Sequence, residues 1–196
     1  MSILVLTSDT LIGTPATGNL EYNGQFFGTD SNASRAQLQR ITQGTAVAST
    51  SGTSIDFTGL PAWIKRVTVM LNGVSTNGVS NLILRIGSGS VDATGYSGSA
   101  ALVGAATANS TTTTGYLLTP SQGSATVTQG IVTLCLINAS TNTWISSGML
   151  ASSDAGNVAL SGATKSLSGA IDRVRLTTVN GTDTFDAGSV NLLWEG

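Results

Sequence analysis

Short runs of Val, Ile, Leu and Thr alternate with clusters of Gly, Asn and Ser along most of this chain. Almost nowhere does an i, i+3, i+4, i+7 apolar pattern last ten residues. That alternation restricts the chain to an all-β fold. The clearest strand is Ile64 to Leu71, in which Ile64, Val67, Val69 and Leu71 largely alternate with Lys65, Thr68 and Met70, and Asn72-Gly73 closes the run. Asn77-Gly78 precedes Leu82 to Ile86, so the two runs are expected to form a hairpin. Ile131 to Ile137 is apolar at nearly every position and reads as a central strand covered on both faces. Asn138 to Asn142 turns it into the run from Thr143 to Leu150. Ile171 to Leu176 leads to Asn180-Gly181, and Val190, Leu192 and Trp194 alternate near the C-terminus.

The tetrapeptides Ile64-Lys65-Arg66-Val67 and Ile171-Asp172-Arg173-Val174 echo one another, and each leads to an Asn-Gly turn, as equivalent strands of two facing sheets would. Many short strands at this spacing predict an antiparallel β-sandwich, jelly-roll-like, over residues 46–196. Residues 1–45 differ. Leu11 to Gly18 contains Pro15 and should be extended, and Ser31 to Arg40 is the one stretch where a capped helical turn is expected. This part is read as an N-terminal attachment arm, with Ile3 to Leu6 as an apolar patch that has nothing of its own to pack against. Gly87 to Gly115 reads as long surface loops around a weak strand or two.

Composition narrows function by exclusion. Lys plus Arg number 8 and Asp plus Glu 10, so 9% of residues are charged, against about a quarter in ordinary soluble domains. Mean hydropathy is +0.23, and Ser and Thr occupy 54 positions. Such a chain belongs in a membrane or in an assembly. No apolar run approaches the roughly 20 residues of a spanning helix, so membrane insertion is not expected and self-association, as a homotrimer, is. A pI near 4.8 and the lack of basic clusters argue against nucleic acid. The N-terminus has no basic residue ahead of its apolar patch, so synthesis in a cytoplasm without export is expected.

The chain has no histidine and one cysteine, Cys135, which reads as a small core residue. Ser-His-Asp and Cys-His catalysis and a zinc site therefore cannot be built within it. Lys165 lacks the Ser-x-x-Lys spacing, and Gly87-Ser88-Gly89 lacks the third glycine of a dinucleotide loop. Asp183 and Asp186 are a close acidic pair in an oxygen-rich turn; a calcium ion there stays open, although the EF-hand spacing is absent. No enzyme activity and no cofactor are expected. Tyr96, Tyr116 and Trp144 fall in or beside loop-rich text and are candidate receptor-binding rings, able to stack on sugars. For each ring taken alone, core packing is the favoured role.

One segment points to a family. Leu20-Glu21-Tyr22-Asn23-Gly24, the aromatic pair Phe26-Phe27 and then Ser34-Arg35 resemble a recurrent stretch of bacteriophage and prophage virion fibre proteins, with Asn23 where those carry an acid. The resemblance runs on through Ile55 to Pro61, Trp63 to Arg66, Leu167 to Val174 and Thr184 to Ser189, so residues from about 19 onward are similar to the C-terminal module of phage tail-fibre proteins. It implies a structural protein of the virion, made in the bacterial host cytoplasm: a short tail fibre or spike for host attachment. The alternative is a capsid decoration protein, of the cement or head-fibre kind. Leu20, Tyr22, Phe26 and Phe27 become candidate attachment or oligomer contacts. Implied partners are other copies of the chain, tail, baseplate or capsid proteins, and host cell-surface carbohydrate.

Overall fold

The computed structural model describes residues 13–14, 16–23, 25–32, 34–105, 107–152 and 156–196. The expected patch at Ile3 to Leu6 lies outside them. The chain divides into two compact units, residues 1–40 and 41–196. All regular structure among the described residues is β.

In the first unit, β1 (Leu20–Tyr22), β2 (Phe26–Thr29) and β3 (Arg35–Gln37) form an antiparallel meander. The helical turn expected over Ser31 to Arg40 is absent. Asp30 explains why: its Oδ1 accepts from the amides of Asn32 and Ser34, each at 2.9 Å. Those bonds resemble a helix cap on paper, but here they tighten the turn between β2 and β3.

The second unit is the sandwich. One sheet has nine strands: β11 (Ala108–Thr111), β10 (Ser97–Gly104), β15 (Asn157–Ser166), β14 (Thr143–Ser152), β13 (Thr128–Asn138), β7 (Arg66–Thr76), β17 (Phe185–Glu195) and β4 (Ile41–Gln43) in spatial order, with β5 (Val47–Ala48) also on β17. The other has five: β12 (Tyr116–Leu117), β8 (Leu82–Ser88), β16 (Arg173–Thr178) and β6 (Ser54–Thr58), with β9 (Ser90–Val91) on β8. Following the chain through β5, β6, β7, β8, β12, β13, β16 and β17, the path crosses between sheets as a jelly roll does. The row β5-β17-β7-β13 faces the row β6-β16-β8-β12. The remaining strands extend the larger sheet past its partner.

Period-2 patterning sets the core. Val67, Val69 and Leu71 of β7, Val132 and Leu134 of β13 and Val190 and Leu192 of β17 meet Leu82, Leu84 and Ile86 of β8 and Val174 and Leu176 of β16. The echoed tetrapeptides open β7 and β16, which do lie in facing sheets. That placement excludes the expected β7–β8 hairpin: the Asn77-Gly78 turn carries the chain across the sandwich instead. β13 is central, between β14 and β7, but covered on one face only. Val132 and Leu134 are fully buried while Ile131 is 52% exposed. Cys135 shares the outward phase and is half-buried rather than part of the core. The Gly87 to Gly115 stretch is more ordered than it reads, because β10 alternates Ala100 and Leu102 inward with Ser99, Ala101 and Val103 outward, a rhythm that small residues conceal. At the other boundary, Ile41–Gln43 pairs with β17 and belongs to the sandwich, so the arm is shorter than expected.

Leu134→Ala should therefore cost about 2–5 kcal/mol, by lost transfer energy plus a cavity. Gln129→Ala, outward on the same strand, should stay within about 0.5 kcal/mol. Chemical denaturation of both variants checks the assignment of faces.

Candidate functional site

The two groups of residues singled out in the sequence have opposite fates. In the meander, registry places Leu20 opposite Gly28 and Tyr22 opposite Phe26, with Ala36 beyond Gly28 and Leu38 hydrogen-bonded beside Phe26. One face is therefore apolar, and it is open: Leu20 is 64%, Phe26 43% and Leu38 49% exposed. Tyr22 and Phe26 stack at 5.0 Å, and with Gln25, Gln37, Leu38, Gln39 and Arg40 they line a depression of about 310 Å³. Phe27 points to the opposite face with Glu21, whose carboxylate takes a two-pronged ion pair from Arg35 at 2.7 and 3.2 Å. Three of the four candidate contacts thus share a surface, and Phe27 does not. A meander this small cannot cover its own apolar face, and Leu38 joins that face although the sequence did not single it out.

Tyr96, Tyr116 and Trp144 are turned into the core rather than outward. Each is at most 2% exposed. Tyr96 and Tyr116 meet edge to face at 5.0 Å. The Tyr96 hydroxyl accepts from the Ile86 amide and shares its one proton between the Asp92 carbonyl at 3.0 Å and the Ile86 carbonyl at 3.2 Å, while that of Tyr116 donates to the Trp144 carbonyl. Lys165, ion-paired with Asp92 at 2.8 Å, lies 5.4 Å from the centre of the Tyr96 ring. Apolar ring area outweighed the loop-like text around these residues, and the hydroxyls found partners inside. Beside Trp144 only a shallow hollow of about 160 Å³ remains, lined mainly by Ala62, Leu136, Ala139 and Ala170 with Asn142 as its polar group.

A polar cluster occupies the opposite end of the sandwich, where Asn77–Ser80, Gln122–Thr126 and Asn180–Thr184 converge. Asp183 accepts from the Ser80 amide at 2.9 Å through one oxygen and from Asn180 Nδ2 at 2.6 Å through the other. Ser80 Oγ accepts from the Asn180 amide, Asn77 Oδ1 from the Thr184 amide, and Asn81 Oδ1 from the Gln122 amide. The Asp183 carboxylate lies where a side chain on Gly78 would begin, 2.0 Å from that Cβ position. Asp183 therefore clamps two crossover turns to each other. Asp186 is exposed and takes no part in that clamp, and among the described residues no three His, Cys, Asp or Glu side chains cluster as metal ligands. The sequence marked Asn77-Gly78 and Asn180-Gly181 as turns; nothing local indicated that they meet.

The outer face of the large sheet is a third surface. Across it, Ala101, Leu160, Met149, Ile131 and Met70 stand opposite one another on successive strands.

No protein-family model matches the chain, and neither does any curated protein. Among solved structures, a protein of unknown function from Shewanella oneidensis MR-1 aligns over 99% of this chain and 97% of its own, with 9% identity and a TM-score of 0.26. The structure of infectious bursal disease virus Gt strain aligns over 81% of this chain and 38% of its own, with 13% identity and a TM-score of 0.14. Likenesses at this level carry no argument.

Two outcomes are expected. Gly78→Ala should destabilise the protein by about 1–3 kcal/mol, because Asp183 must move and its two bonds go with it; the Gly78→Ala/Asp183→Ala double variant should lose less than the sum of the two single losses. Burial pushes the Tyr96 hydroxyl up from 10.0 to about 12, and burial raises Tyr116 further. Both phenols are thus held neutral in the folded state. Their contribution is complete below the unfolded value of about 10 and is lost as pH rises through the folded values. Phenolate absorbance should show both rings silent at pH 10 to 11 in native protein, with denaturation midpoints already falling as pH rises above about 10.

Proposed function

We propose that the chain is a non-enzymatic structural protein of a bacteriophage virion, a short homotrimeric fibre or spike that attaches the particle to the host surface. The observation that carries the reading is the meander. The residues that resemble the phage fibre motif fold as a unit of their own, with Leu20, Tyr22, Phe26 and Leu38 turned outward. An open apolar face on so small an element suits docking on another virion protein of tail, baseplate or capsid. The jelly roll agrees with this, as a fold common in viral capsid and lectin domains, though only as analogy.

The sandwich is the presenting part. Its first strand begins at Ile41, opposite Glu195, at the end that holds the Trp144 hollow. The loops at the other end lie about 30 Å away along strands as long as β7. They expose hydroxyls and amides already fixed by mutual hydrogen bonds, and neutral groups that both donate and accept suit uncharged sugars. Recognition of host carbohydrate is assigned to this end in place of the buried rings. Single sites of this kind are weak, and three on one spike gain by multivalency.

Deleting residues 1–40 should leave a soluble sandwich but abolish incorporation into particles. Purified full-length protein should compete with virions for adsorption and release no reducing sugar. Ser124→Arg or Thr182→Arg, at exposed positions of the far loops, should weaken that competition with the circular dichroism unchanged. If particles lacking the protein adsorb normally yet lose capsid stability, the decoration role replaces the attachment role.

A further inference from the structure

The outward face of β10, β15, β14 and β13 is unusual in what it lacks. Registry aligns Val103, Val158 and Ala151 in one row, Ala101, Leu160, Met149 and Ile131 in the next, then Ser99, Gly162, Ser147 and Thr133, then Ser97, Thr164, Ile145 and Cys135. No outward position of these four strands is charged. Apolar side chains on it are open to solvent: Met149 61%, Val103 55%, Ile131 52%, Leu160 46% and Ile145 41%. Among the described residues, charge returns on the β7 side, where Arg66 pairs with Glu195 of β17. An uncharged, part-apolar surface is the anatomy of an interface centre.

We infer that this face is the seat of a second copy of the same chain. Two features of the face select that occupant. Like surfaces can meet only where no like charges oppose one another, and these rows carry none, so the face is compatible with itself. Its extent also fits. Four strands about 4.8 Å apart, each with about four outward positions 6.8 Å apart, span about 500 Å² in projection. Two copies would thus bury about 1,000 Å² before side-chain relief is counted, enough to clear the size at which specific interfaces begin. The inference rests on the self-association proposed above and refines it: a face that meets its own copy closes a two-fold pair, so this surface makes a dimer rather than a trimer.

The test uses the full chain at tens of micromolar in sedimentation velocity. Met149→Lys/Leu160→Lys and Met149→Glu/Leu160→Glu replace exposed side chains, so both variants should keep the β circular dichroism. Wild type should sediment as a multiple of 19.7 kDa, each variant as a single chain, and an equal mixture of the two should reassociate. Assembled wild type with assembled variants would overturn this face and leave self-association standing. Wild type sedimenting as a single chain would overturn self-association itself. Cys135, the one cysteine in the chain, gives a measurement independent of variant folding. Alkylation of wild type should be slow when assembled and speed up on dilution to single chains; equal rates in both states would overturn the inference.

Discussion

Everything in the sandwich depends on closure of one sheet over the other along β7, β13 and β17 against β8 and β16. Their inward Val, Leu and Ile residues are nearly all below 5% exposure, and Phe185, Trp144 and Tyr116 fill the wider gaps between them. Because consecutive strands so often belong to opposite sheets, few contacts are local. A jelly roll of this sort has to bring distant segments together before any of them is rewarded, which makes such topologies slow to fold. The crossover turns then matter more than their length suggests. The clamp from Asp183 to Ser80 and Asn180 ties two of them, and Asp172 does similar service at the other end, bonding to the Gly89 amide and to Arg173.

Charge is scarce, and much of it is spent within the chain. Arg35 meets Glu21, Arg66 meets Glu195, Lys165 meets Asp92, Arg173 meets Asp172 and Arg175 meets Asp56. Most of these pairs are exposed enough to add little stability. Their effect is rather to leave the surface electrically quiet, with hydroxyls and amides as its vocabulary. Arg173 holds the Asp172 carboxyl below its usual range. That interaction is therefore present above pH 4 and weakens as pH falls below it, by the usual linkage sign.

Much of the fold could be read from residue patterns. The alternation of Val67, Val69 and Leu71 identified β7 and its inward face, and the Ile-x-Arg-Val echo marked facing strands. Pairing was less legible. Asn77-Gly78 has hairpin chemistry, yet β7 and β8 part there, because which sheet a strand joins depends on residues far along the chain. Faces were misjudged where apolar residues occupy both phases, as in Ile131 to Ile137. Phase alone could not show that the outer side of β13 lies open. Candidate residues divided by the same logic. Leu20 and Phe26 were found because a motif drew attention to them. Tyr96, Tyr116 and Trp144 were nominated as loop rings by the Gly and Thr around them, while ring area put each in the interior, the role favoured for each ring taken alone. The far-end cluster was invisible because it is assembled from three turns about 40 to 60 residues apart.

One feature of the sandwich has a mechanical consequence. β4 and β5 lie antiparallel on β17, with Ile41 opposite Glu195 and Ala48 opposite Ser189. The chain enters at the near end of that seam and runs along it. Tension applied at residue 40 and resisted at the far loops acts along the strand axis, so it loads the hydrogen bonds of the seam together, in shear, rather than peeling them apart one at a time. Under such a load the paired positions along β17 would have to give way together rather than in sequence.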